Sequence, residues 1–165
     1  MTVKTSTAAH PLMTALGLTL ALLAVAPLAL SEGAEAHEEA TGVVKERMDL
    51  METQKDAMKV IGAMAKGQVP FDAGEAASAA KEIETTAKKI PDLFPEGTGG
   101  YPSEAKPEVW TDWDRFTGDA DGLATATKDL VIALEGEAPD WKAKFKGVID
   151  ACKTCHKTFR EEEEE

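Results

Sequence analysis

The chain has 165 residues, with 18 Lys and Arg against 30 Asp and Glu, so its formal net charge is −12. Such a surface repels nucleic acid and anionic membranes, and it excludes a nucleic-acid-binding role. Only two cysteines are present, and both lie in the short window Cys152 to Cys155.

In chain order, the first segment reads as an export signal. Lys4 gives a basic start, Leu12 to Leu30 is an uncharged apolar run, and Ala34-Glu35-Ala36 ends it with small residues. Residues 1–36 are therefore expected to be a cleaved signal peptide, with a cut nearer Leu30 as the alternative. Pro27 and the many alanines make the run a poor spanning helix, so no stable membrane insertion is expected after processing. Residues 37–165 then form a single domain. Removing the leader takes away Lys4, Glu32 and Glu35, and the remainder carries −11. A charge of that sign favours a partner with a basic docking face.

The rest is rich in Ala, Lys, Glu, Asp and Met, and no alternating β-branched run argues for a strand. Four helices are expected. The first spans about Glu39 to Lys66, with Val44, Met48, Met51, Met58 and Ala65 near one face, and Leu50, Ile61 and Met64 widening it. Gly67 and Pro70 stop it. The second spans Asp72, as N-cap, to Ile90; it is alanine-rich, so its partners must supply the bulk. Pro91 to Lys106 is a loop dense in proline and glycine. The third starts at Lys106-Pro107 and ends at Gly136, with Gly118 and Gly122 as points of interruption. The fourth begins at Pro139-Asp140 and runs past Phe159, with Trp141, Phe145, Val148, Ile149, Cys152 and Phe159 on one face. Amphipathic helices with mostly short links imply an all-α, antiparallel up-and-down four-helix bundle.

Cys152-Lys153-Thr154-Cys155-His156 is the Cys-x-x-Cys-His signature of covalent haem attachment. Thiols three residues apart share a helical face, so both can add to the vinyl groups on one edge of a porphyrin. The next residue turns its imidazole toward the iron. Zinc would need a fourth ligand, and only His37 and His156 remain after the leader. A redox dithiol needs a βαβ setting and a helix N-terminus, and a plain disulfide leaves His156 without a role. One haem c per chain is expected, with His156 as proximal ligand. Arg160, four residues on, either discourages protonation of His156 or sits on the surface.

Haem on the last helix of a bundle resembles the class II c-type cytochromes, the cytochrome c-prime family. The resemblance runs through Val44-Lys45-Glu46-Arg47-Met48-Asp49-Leu50-Met51, Ala65-Lys66-Gly67-Gln68-Val69-Pro70-Phe71-Asp72, Leu93-Phe94-Pro95, Pro107-Glu108-Val109-Trp110 and the ending Cys-His-Lys-Thr-Phe-Arg. It implies one of two chemistries. In high-spin members an apolar side chain covers an empty sixth position, and small gases such as nitric oxide or carbon monoxide bind there. In low-spin members a first-helix methionine takes that position and the protein carries electrons. Met51 matches the ligand position, with Met48 as fallback, so the resemblance implies the methionine-ligated, low-spin kind. It also implies a haem propionate partner in Arg47, core packing around the macrocycle for Trp110 and Phe159, a periplasmic location, no catalytic residues, and a homodimer in many members.

Overall fold

The computed structural model describes residues 39–161. The expected signal peptide and most of the terminal glutamate run lie outside the described residues. Helix α1 is Gly42–Ala65, α2 is Ala73–Ala87, α3 is the single turn Glu108–Thr111, α4 is Trp113–Glu135 and α5 is Trp141–Phe159. A 3-10 turn, Pro91–Leu93, lies between α2 and α3. Among the described residues there is no strand, only an isolated bridge between Ala105 and Arg160. The chain is a four-helix bundle of α1, α2, α4 and α5. No helix among the described residues is long and apolar enough to cross a membrane.

The stops and caps explain the boundaries. At the end of α1, Gly67 takes φ +70°. Its N–H bonds the Met64 carbonyl at 3.0 Å, and the Gln68 N–H reaches the Ala63 carbonyl at 2.9 Å. These are the two bonds of a Schellman stop. The Asp72 carboxylate accepts the Glu75 N–H at 2.9 Å, capping α2 as expected. The stop of α4 differs in detail. Gly136 keeps a negative φ, and the left-handed residue is Glu137, at φ +50°. The bonds Glu137 N–H to Leu134 and Ala138 N–H to Ala133 complete the motif one residue later than glycine placement implied. Glu137→Gly is therefore expected to stabilise the bundle by about 0.5–1 kcal/mol, read as a higher urea midpoint at unchanged slope.

The expected third helix is broken, and not at its glycines. Gly118 and Gly122 lie inside α4 with open space around them. The break is at Asp112, φ −125° and ψ 50°. The Trp110 indole N–H is held by the Phe94 and Pro95 carbonyls at 2.9 and 3.1 Å. A Cβ on Gly99 would stand 2.9 Å from that ring, so glycine is required where the loop crosses it. Anchoring Trp110 to the loop rotates α3 out of line with α4.

Helix α2 packs on both α1 and α4, and α4 packs on α5. Buried Ala76, Ala77, Ala80 and Ala87 keep α2 slim. Ile61 and Met64 from α1 and Leu130 and Leu134 from α4 supply the volume, as the alanine content implied. At one end, Phe116 makes edge-on contacts with Phe94 and Phe159, at centroid distances of 4.8 and 5.3 Å. No comparable seam joins α1 to α5.

Candidate functional site

Where α5 fails to close on α1, the bundle holds a cavity of about 990 Å³. Its walls explain how the apolar stripe of α1 divides. The face of α1 that enters the core is Leu50, Ala57, Ile61 and Met64, together with buried Arg47 and Gln54. Met51, matched to the ligand position, Met48, its fallback, and Met58 on the same face are only partly buried and line the cavity. Opposite them, α5 contributes Ile149, Cys152, Cys155, His156 and Phe159. The floor comes from α4, through Phe116, Asp119, Ala120 and Leu123.

The structure thus brings Met51 and His156 to one cavity although they are far apart in sequence, and it brings Met48 and Met58 with them. Cys152 and Cys155 stand on its wall. Burial pushes both up from their ordinary pKa; Cys155 reaches about 12, with Asp119 and then Cys152 adding to the effect of burial. His156 is exposed at its rim, so its desolvation is partial. That desolvation, then the Arg160 charge, lowers its pKa, while Glu104 pulls the other way. A depressed pKa keeps the imidazole neutral, the form that binds a metal. Arg160 in turn is paired with Glu104 at 2.6 Å, which ties the end of α5 to the 100s loop.

Arg47 lines the same cavity and is 95% buried, its side chain stacked 4.0 Å over the Phe94 ring. Its Nε and Nη2 donate to the Leu93 carbonyl at 3.2 and 2.9 Å. Its remaining bonds go to the Thr98 carbonyl, the Thr98 hydroxyl and the Ser103 hydroxyl, at 3.2, 2.8 and 2.8 Å. All these acceptors are neutral, and desolvation lowers the Arg47 pKa. A buried cation without a carboxylate partner suits a site that receives an acidic ligand. Its hydrogen bonds nevertheless give it a first task, pinning the loop over the cavity. Arg47→Met is expected to leave the Leu93 and Thr98 carbonyls unpaired and to cost about 2–4 kcal/mol. Arg47→Lys should recover little of this, because an ammonium lacks the planar fork. Urea denaturation of both variants, with haem in place, measures it.

Two cavity residues were not anticipated from sequence. Gln54 donates to Thr86 on α2 at 3.1 Å. Its position between Met51 and Met58 at helical spacing is the signal that could have shown it. Asp119 has a buried carboxylate oxygen, Oδ2, with no hydrogen-bond partner. Nothing local in the sequence marks it, because its burial depends on α5.

This donor set fits a haem. The cavity is of cofactor size, two thiols and an imidazole stand on one wall, and thioethers stand on the other. The family described as Cytochrome C′ matches residues 42–160. The chain belongs to the cytochrome c′ family. Cytochrome c′ of Pararhodospirillum photometricum is 38% identical over 120 residues, covering 72% of this chain and 95% of that protein. Cytochrome c-556 of Agrobacterium fabrum is 34% identical over 123 residues, covering 73% and 82%. The solved structure of cytochrome c′ from Rubrivivax gelatinosus superposes with a TM-score of 0.64 at 35% identity, covering 70% of this chain and 91% of that one. A nitric oxide complex of a mutant cytochrome c prime from Alcaligenes xylosoxidans superposes with a TM-score of 0.67 at 26% identity, covering 73% and 94%. As a cytochrome c′ family member, the protein carries one covalently bound haem c, and the bundle expected from sequence is the family's fold.

Proposed function

We propose that this cytochrome is exported to the periplasm, loses residues 1–36, and binds small gases such as nitric oxide or carbon monoxide at the haem face opposite His156. Cys152 and Cys155 form the thioethers, and His156 is the proximal ligand. The haem supplies a redox-active iron with one face left to the α1 wall. Helix α5 fixes one edge and the proximal side; the methionines of α1 decide what reaches the other side.

The observation that carries this reading is the cavity wall opposite His156, built of flexible side chains on α1 rather than of a packed helix seam. The similarity to a protein solved as a nitric oxide complex supports it. Met51 acts there as a displaceable occupant. The second reading is a periplasmic electron carrier in which Met51 is a permanent ligand. It is favoured by one observation, a thioether on that wall where the resemblance implies an apolar blocker in the gas-binding members. The carrier would catalyse no reaction by itself. The reduced absorption spectrum and a carbon monoxide titration separate the two. Binding of the gas at micromolar concentration, with conversion of the whole spectrum, supports gas binding; a sharp low-spin spectrum unmoved by saturating gas supports the permanent ligand.

A further inference from the structure

The floor of the haem cavity carries a charge that packing does not account for. Phe116, Ala120 and Leu123 of α4 are apolar and buried, and Asp119 stands among them on the same wall. It lies three residues after Phe116 and four before Leu123, which places it on their face of the helix. As a residue Asp119 is partly buried, but its Oδ2 is out of solvent and has no hydrogen-bond partner among the described residues. A carboxylate oxygen in that position is costly, and a buried polar group left unpaired calls for a role.

The neighbouring cations are engaged elsewhere. One turn earlier on α4, Arg115 lies 4.0 Å from Asp112 and donates to the Thr158 hydroxyl at 3.1 Å. At the end of α5, Arg160 is paired with Glu104. On α1, Lys55 is paired with Glu52, and Arg47 donates to Leu93, Thr98 and Ser103 of the loop. Lys153 lines the cavity with its side chain exposed. Asp119 makes no ion pair among the described residues. What its charge does reach is Cys155, where it is second only to burial in holding the thiol protonated. The run Glu161–Glu165 adds further carboxylates after α5, and Glu161 is exposed. Water and salt screen exposed charges strongly and buried ones much less.

We propose that Asp119 tunes the reduction potential of the haem, its negative charge beside the Cys155 attachment edge holding the iron in the ferric form. Reduction puts one electron on the iron and removes one unit of positive charge from the haem. A carboxylate beside the haem edge loses part of its attraction at that step, so the ferrous form is disfavoured and the potential falls. The proposal rests on haem attached at Cys155, not on either reading of the distal face. It bears on both readings, because carbon monoxide takes ferrous iron and a carrier works only between partners that bracket its potential.

The experiment is a redox titration of the haem-loaded protein at constant pH, with dithionite supplying electrons and ferricyanide removing them. Five forms are compared at low and high salt: the parent, Asp119→Asn, Asp119→Ala, Asp119→Glu and Asp121→Asn. The last removes the same charge from an exposed position on the same helix. Circular dichroism shows that each form is folded, and the reduced spectrum shows that the ligands of the iron are the same. At the parent's midpoint, Asp119→Asn should hold at least tenfold more ferrous relative to ferric haem, equivalent to about 59 mV for one electron. Asp119→Ala should follow it, since the effect is charge and not a hydrogen bond. Asp119→Glu should stay near the parent. Asp121→Asn should move the ratio less than twofold and not at all at high salt, where the Asp119→Asn difference persists. Equal shifts in the two asparagine variants would mean that net charge governs the potential, and would overturn the proposal. So would an Asp119→Asn ratio that is unchanged or lower, and so would a shift that comes with an altered reduced spectrum, which belongs to the distal ligand.

Discussion

Replacing both Cys152 and Cys155 by serine is expected to yield a chain that carries no covalent haem and does not hold the bundle. Serine keeps nearly the volume of cysteine but lacks the nucleophilic sulfur that adds to a vinyl group. The consequence for stability follows from the cavity. Without haem, Met51 and Met58 of α1, Phe116 and Leu123 of α4 and Ile149 of α5 lose the packing partner between them across a cavity of about 990 Å³. The haem-free chain is therefore expected to collapse across the gap between α1 and α5 or to unfold. The single variants Cys152→Ser and Cys155→Ser retain one thioether and should keep haem and fold. Intact mass, before and after acid–acetone extraction, together with far-ultraviolet circular dichroism, measures all three. A double variant whose mass still includes haem would show that attachment lies elsewhere.

The cavity also explains which parts of this fold were legible in the sequence. Two helix ends set by a local residue were readable: Gly67 and Asp72 act at the positions their chemistry implies. The break at Asp112 was not readable, because Trp110 is held by carbonyls of a loop 15 and 16 residues earlier. The hydrophobic pattern alone could not divide the stripe of α1 between core and cavity, for a related reason. Methionine, leucine and isoleucine look alike to a hydrophobic pattern, whether they face a protein core or a cofactor. Leu50, Ile61 and Met64 face protein, while Met51 and Met58 face the cavity. Cys152, Cys155 and His156 stood out because their spacing is itself the chemistry. Arg47 was picked out by resemblance alone, and its hydrogen bonds to Leu93, Thr98 and Ser103 depend on how the loop folds back. Asp119 was invisible for the same reason.

Met51→Leu is the variant expected to change function most while leaving the bundle intact. The swap is apolar and nearly conserves volume, and Met51 is only partly buried, so its packing cost should stay below about 1.5 kcal/mol. What it removes is the sulfur lone pair, the one feature of this side chain able to compete with a gas for iron. A competing ligand scales apparent gas affinity down to the fraction of molecules in which it is not bound. With Met51 bound nine-tenths of the time, its removal should tighten carbon monoxide binding about tenfold. The reduced spectrum should move toward the broad high-spin form, and the reduction potential should fall as the thioether is lost. Met48→Leu and Met58→Leu are the controls, since both side chains line the same cavity from the same helix. Spectra and carbon monoxide titrations of all three variants decide the assignment. A response in Met48→Leu with none in Met51→Leu would transfer the role to Met48. No response in any of them would mean that the distal face is open from the start, and that the α1 thioethers shape the cavity without touching the iron.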